Sequence, residues 1–380
     1  MKPYPAYKPT GLKWLPEVPR GWDVLHIREL FSERRVKVSD KDYPPLSVSR
    51  GGIVPQIETV AKSDDGDNRK LVKKGDFVIN SRSDRKSSSG VSQLDGSVSL
   101  INIVLQPREQ LAGAYVHYLL KCHDFAEEFY RNGRGIVGDL WTTRYSEMKS
   151  ISLPIPTLEE QVRISAYLDA KTAKFDRLIK LKEREIELLQ EKKQVVISRA
   201  VKSDKKTIPV KYIVSIDNGS DPVTQGTTPV YGSGAESFKS CGEFKIGPAV
   251  LLGRKGATLH IPHYVEGKYW NVDTAFDAKP LGDRVDLRFF YYCAICFDYR
   301  RFISQTTLPS MTKSDYGRMR IPMLAMPEQR KIAAYLDAET AKTDKVIAVM
   351  RRQIELLREY RTRLISDAVT GRIDLRKEAC

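Results

Sequence analysis

The residues best suited to chemistry in this 380-residue chain are cations set among small hydroxyl side chains. Residues 81–90 place Arg82, Ser83, Arg85 and Lys86 in a serine-rich loop ending at Gly90. Guanidinium forks in such a loop match phosphate oxygens or the O6/N7 edge of guanine, while serine and lysine chiefly position. Residues 252–257 offer a second basic turn, with Arg254 and Lys255 between Gly253 and Gly256, and Lys268 and Tyr269 follow. Arg50, Arg131 and Arg134 add cations to the first half, and Gln305, Thr306 and Thr307 add polar groups to the second. One basic loop alone reads more readily as solvated surface. A matched loop in each half points to nucleic acid, and all fourteen residues are expected to contact it.

Signals for catalysis are few. The chain lacks G-x-x-x-x-G-K-[ST] and G-x-G-x-x-G, the turns that cradle phosphates, and the Asn/Asp-Pro-Pro-aromatic tetrapeptide of amino-methyltransferases. His260-x-x-His263 carries Pro262 between its histidines and no carboxylate pattern nearby. Cys293-x-x-Cys296 lies in an apolar run with no second pair to complete four ligands, so both read as core residues. No catalytic residue, metal or cofactor is expected, and the chain reads as a non-enzyme.

The formal charge of +15 and pI of about 9.4 favour a polyanionic partner. That charge is spread along the chain rather than held in a tail, which suits a nucleic acid followed along its length. No apolar run reaches membrane length, the first residues do not read as a signal peptide, and five irregularly spaced cysteines fit a reducing compartment. A cytoplasmic protein with no membrane partner is expected.

The elements that must position these loops are announced by an internal repeat. E-Q-V-R-I-S-A-Y-L-D-A from Glu160 returns as E-Q-R-K-I-A-A-Y-L-D-A from Glu328, and the offset of 168 residues holds without a gap to Val201 and Val369. Roughly half of the paired positions are identical, which marks a duplicated architecture. Thr157-x-x-Glu160 is a capping-box pattern, and Pro327 suits a first helical turn. Neither copy then meets Gly or Pro until Pro209 and Gly371, so each predicts a helix of about 40 residues, with a bend near residues 170–174 allowed. Phe175, Ile179, Ile186, Leu189, Val196 and Ala200 form a narrow seam, as do Ile347, Met350, Ile354, Leu357, Leu364 and Ala368, interrupted by Lys182, Lys193 and Arg361. The two helices are expected to pack on each other antiparallel, about a pseudo-twofold axis. Tyr167/Tyr335, Asp169/Asp337, Lys174/Lys342, Asp176/Asp344 and Glu187/Glu355 are polar identities expected on outer faces, where two like partners would dock.

Between these helices the halves share one grammar of short strands and a single helix. Residues 1–24 read as a loop segment rich in Pro, Tyr and Trp. Strands are expected at 22–27, 46–48, 57–60, 77–80 and 97–105, with a helix over 113–130. The second half predicts strands at 210–216, 249–252 and 275–278 and a helix over 287–303. The fold class is thus α+β: two mixed α/β blocks separated by two long helices, as an internal repeat. The expected regions are 1–156, 157–206, 207–324 and 325–380. Helices that stay alike while the blocks diverge suggest one common partner and two different ligands.

Together these residues resemble the specificity subunit of type I restriction–modification systems. The resemblance runs through the opening around Tyr7-Lys8-Pro9 and Trp14, then Val18-Pro19 and Trp22, through Gly75-Asp76-Phe77-Val78 and Gly253-Arg254-Lys255-Gly256. It continues through Pro156, Glu160-Gln161, Pro327-Glu328-Gln329 and Ser366 to Gly371. It implies that residues 1–156 and 207–324 are target-recognition domains, each reading half of a bipartite, asymmetric double-stranded DNA site. The helices would fix the spacer and dock two methyltransferase subunits, joined by restriction–translocase subunits, and catalysis, S-adenosylmethionine and ATP would belong to those partners. One departure stands out: residues 200–204 lack the Thr-Gly with which the second helix ends at Thr370-Gly371. Two rivals are a subunit of a related type IIB-like enzyme and a coiled-coil scaffold that reads no bases.

Overall fold

The structure, a computed structural model, describes residues 2–56, 66–135, 141–234, 236–304 and 308–376. The chain divides into two compact units, residues 1–181 with 352–380 and residues 182–351. Each contains one globular block and part of both long helices.

The helices run over Leu158–Val201 and Met326–Val369, 44 residues each, with no break at residues 170–174. Thr157 accepts the Glu160 N–H at 3.3 Å, half of the expected capping box. The reciprocal half is absent, because the Glu160 carboxylate turns to the Tyr4 hydroxyl at 2.5 Å and the Trp22 indole at 3.2 Å. The seam is closed: Ile179, Ile186, Ile347, Ile354 and Leu364 are buried. The cations that interrupt it make its cross-links. In the first unit Arg361 lies 3.3 Å from Asp176, and in the second Lys193 lies 2.6 Å from Asp344. Both members of one pair stand 168 residues from their counterparts in the other, so the two units repeat one antiparallel helix contact. Ion pairs this exposed contribute register more than stability.

In the first unit an antiparallel sheet runs in the order Ser89–Val91, Phe77–Asn80, Asn102–Pro107, Phe31–Glu33. A three-stranded sheet, Gly96–Val98, Arg69–Val72, Lys37–Val38, accompanies it. Phe77–Asn80 is buried at every position, as a strand covered on both faces must be. The expected strand at 97–105 is two strands, and the expected helix over 113–130 is two, Gly113–Lys121 and His123–Arg131. Cys122 breaks the latter: it is extended and caps the second helix through Sγ. The opening segment is no plain loop, since Tyr7–Pro9 pairs antiparallel with Glu17–Pro19. The expected strand at 57–60 lies outside the described residues.

The second unit repeats the plan. Its main sheet runs Val214–Asn218, Ala275–Pro280, Ala249–Gly253, His263–Val265. A second sheet runs Ser237–Cys241, Thr228–Tyr231, Lys268–Asn271, Lys245–Ile246, with one parallel pair at its centre. Residues 210–216 divide into a 3-10 turn and a strand, and the helix expected over 287–303 ends at Ile295. Cys293 is buried in the core, as expected, and Cys296 is half-buried.

A repeated pair of glutamines, 168 residues apart, ties each block to its helix. Gln161 accepts the Ala112 N–H at 2.9 Å, ahead of helix Gly113–Lys121, and donates to the carbonyls of Gln110 and Pro156. Gln329 accepts the Asp286 N–H at 2.8 Å, ahead of helix Leu287–Ile295, and donates to the carbonyls of Arg284 and Leu324. Both side chains are fully satisfied and buried, which is what lets them persist in a core.

Candidate nucleic-acid interface

Three chain segments meet where the central strand of each block ends. In the first unit Phe77–Asn80 continues into Ser81, whose carbonyl accepts the Thr143 N–H at 2.9 Å. Arg82 then bridges Thr142, and Thr142 exchanges both backbone hydrogen bonds with Arg134, at 2.8 and 2.9 Å. Thr142 therefore holds Arg82 on one side and Arg134 on the other, and both arginines are exposed.

The second unit builds the same junction. Ala249–Gly253 continues into Arg254, whose carbonyl accepts the Met311 N–H at 2.9 Å. Lys255 bridges Ser310, and Ser304 bridges Ser310 from the far side. Ser310 stands 168 residues from Thr142. Gly253 is required here, because a Cβ would lie 2.2 Å from the Leu259 backbone. Gly256 takes φ of +110°, a region that suits glycine.

The loop in the first unit is held from behind. Ser83–Arg85 forms a 3-10 turn. Lys86 pairs with Glu127 and lies over the Tyr130 ring, and Ser87, at φ +63°, donates its N–H to the Tyr130 hydroxyl at 3.1 Å. A non-glycine residue in that region costs about 1 kcal/mol or more and persists only where its surroundings fix it. Burial pushes the Tyr130 phenol up to about 12, and the Asp84 and Arg50 charges act on it in opposite senses. Lys86 is thus a fastening of the loop, while Arg82 and Arg85 point their charge outward; Arg85 is loosely paired with Asp84 at 3.6 Å.

The remaining expected contacts divide. Arg50 is exposed, its carbonyl held by Lys121 at 2.8 Å. Arg131 is paired with Glu128 at 2.7 Å, and Arg134 is 3.9 Å from Glu147. Arg254 lies over the Phe276 ring, with Lys255 at 3.8 Å from Asp273. Lys268 is exposed over the Phe244 ring, on the second sheet rather than at the junction. Tyr269 is a correction: it is wholly buried in that block's core and offers no ring to a base. Burial and the Asp277 charge push its phenol up. Gln305, Thr306 and Thr307 lie outside the described residues, as does the Ser83 side chain. Thr142, Ser304 and Ser310 escaped the sequence reading, although the 168-residue offset relates two of them.

The outer faces of the helices also need correction. Tyr167 is buried, whereas its counterpart Tyr335 is 52 % exposed. Asp169 accepts the Tyr118 hydroxyl at 2.6 Å, and Asp337 accepts the Tyr292 hydroxyl at 2.5 Å and the Arg288 guanidinium at 2.6 Å. Asp176 and Asp344 make the cross-helix pairs described above. Glu187 pairs with Arg184 and Glu355 with Arg352, one helical turn away. Lys342 pairs with Glu339, and Lys174 is exposed. Much of the repeated polarity therefore serves contacts within the chain. A repeated apolar set does face outward: Leu178, Leu181 and Leu356 in the first unit, and Leu188, Val346 and Val349 in the second.

No protein-family model matches the chain, and no curated protein matches it by sequence. Solved structures do match it, over nearly its whole length. One belongs to a type I restriction–modification system solved to explain complex assembly and conformational transition. It has 16 % identity and a TM-score of 0.76, covering 94 % of this chain and 99 % of that one. Another is the HsdS subunit from Thermoanaerobacter tengcongensis, at 16 % identity and a TM-score of 0.55, covering 94 % and 98 %. The class is thereby defined: two mixed α/β blocks on a repeated pair of long helices. This chain has the fold of a type I restriction–modification S subunit. Among the described residues no helix is long and apolar enough to cross a membrane, and no cluster of His, Cys, Asp and Glu could hold a metal ion.

Proposed function

We propose that this chain is the DNA-recognition subunit of a type I restriction–modification complex. Each block reads one half of a bipartite, asymmetric site in double-stranded DNA, and the helices set the spacer between the halves. Two methyltransferase subunits dock on the helices, and restriction–translocase subunits join them. The chain is not itself an enzyme; the partners hold the catalytic groups and their cofactors, and this chain supplies readout.

The doubled junction carries the reading. Two blocks that diverge in sequence both end their central strand in cations, the exposed Arg82 and the half-buried Lys255, pinned to Thr142 and Ser310. A ligand with many equivalent anionic groups suits such a duplicated arrangement, and divergence around it suits two different base sequences. The half-exposed leucines and valines repeated on the helices support docking of like partners, since apolar side chains set at heptad spacing favour a further helix.

The test is a block exchange in the reconstituted complex. Replacing residues 25–150 by the block of another such subunit should change one half of the methylated site and leave the other. Change in both halves, or in neither, would refute the two-reader scheme. Purified alone, the chain should neither methylate nor cut DNA.

A further inference from the structure

The two units differ on one face, and the difference has a definite cause. In the first unit Ile155, Ile164 and Tyr167 are buried, at 6 %, 1 % and 4 % exposure. They share a core with Tyr4, Leu15, Val18 and Trp22 of the opening segment. Their counterparts 168 residues on are Met323, Ile332 and Tyr335. Met323 is 58 % exposed and Tyr335 52 % exposed, with Ile332 only half-buried.

What is missing can be followed residue by residue. In the first unit Asp23 stands opposite Ile155, and in the second the Lys206 carbonyl accepts the Met323 N–H at 2.9 Å. Lys205 thus takes the place of Trp22. It does the same polar work, reaching Glu328 at 2.5 Å where Trp22 reaches Glu160 at 3.2 Å. Among the described residues nothing takes the place of Tyr4, whose hydroxyl donates to the other Glu160 oxygen at 2.5 Å, or of Leu15 and Val18. Beside this face a cavity of about 400 Å³ opens among Ile208, Ile213, Ile321, Met323 and Met326.

We propose that this face of the second unit, centred on Glu328, Met323 and Tyr335, is a docking site for an extended segment of a partner polypeptide. The segment presents a tyrosine hydroxyl to Glu328 and aliphatic side chains to Met323 and Ile332. The chain's own repeat identifies the occupant: the equivalent Glu, Gln, Ile, Tyr, Leu face carries such a segment in the first unit. Exposed methionine and tyrosine suit the role, since both adapt to an incoming apolar side chain and tyrosine keeps a polar end in water. The proposal is independent of DNA reading, so its failure would leave that reading standing.

The experiment uses the full chain carrying the photoreactive residue p-benzoylphenylalanine at position 335, with a fluorescent synthetic peptide of residues 2–22 as probe. A saturable crosslink is expected. It should weaken at least tenfold when the peptide carries Tyr4→Phe, and likewise when the chain carries Met323→Asp or Glu328→Gln. These protein substitutions lie at exposed or half-buried positions, and an unchanged melting temperature would confirm an intact fold. No saturable crosslink, or one indifferent to all three changes, would overturn the proposal.

Discussion

The Tyr118 hydroxyl donates a hydrogen bond to Asp169 at 2.6 Å, and Thr172 lies 3.2 Å from the same hydroxyl. The second unit repeats the triad as Tyr292, Asp337 and Thr340, at 2.5 and 3.3 Å. This link joins the helix of each block to its long helix, and it accounts for an aspartate kept in both copies. Tyr118→Phe should destabilise the first unit by about 1 kcal/mol, because Asp169 is exposed and regains water. A double-mutant cycle with Asp169→Asn, followed by thermal unfolding, should show coupling between the two positions. Strict additivity would mean that the bond adds nothing.

The end of the second helix depends on a glycine. Gly371 takes φ of +76°, and a Cβ there would lie 2.4 Å from the Pro19 side chain and 3.2 Å from Trp22. Gly371→Ala should therefore cost about 2 kcal/mol and loosen the opening segment. Limited proteolysis should cut within residues 2–22 faster in the variant. Ser203 occupies the equivalent place in the first helix exit, where no such segment packs among the described residues, and this accounts for the sequence departure there.

Burial lowers the His117 pKa to about 4, aided by the nearby Lys121 and Arg361 charges and opposed by Asp169. The unfolded chain binds the proton near pH 6.5, so the folded state loses stability as pH falls from about 6.5 toward 4. The loss is at most about 3 kcal/mol by linkage. His117→Gln should flatten this part of the stability profile. An unchanged slope would assign it to other groups.

Lys86 and Arg82 should behave differently toward DNA. Neutralising Arg82 or Arg134 should lower the slope of log affinity against log salt by roughly one unit each, if each neutralises one phosphate. Lys86 acts by fastening the loop to Glu127. Lys86→Ala should therefore weaken binding in a manner that Glu127→Gln reproduces, although the latter removes a negative charge. Tighter binding by Glu127→Gln would show Lys86 to be a direct contact instead.

The amino-acid sequence by itself determined the doubled architecture. A gapless 168-residue offset over the helices admits no other reading, and an apolar seam with helix-compatible residues throughout fixes both helices and the faces they bury. The basic strand exits were legible for a similar reason, because Gly253-Arg254-Lys255-Gly256 constrains its own backbone. Only the tertiary structure decided which repeated polar residues face outward. Asp169, Asp337, Asp176 and Asp344 are spoken for by Tyr118, Tyr292, Arg361 and Lys193, partners between 45 and 185 positions away that no local pattern reveals. Tyr269 alternates along a strand with the exposed Lys268 and the half-buried Trp270, so its burial depended on which face the second sheet covers. Tyr167 and Tyr335 are identical in type and setting along the helix. Their contrast arises because residues 4–22 fold back over one and not the other, a long-range closure that helical periodicity does not encode.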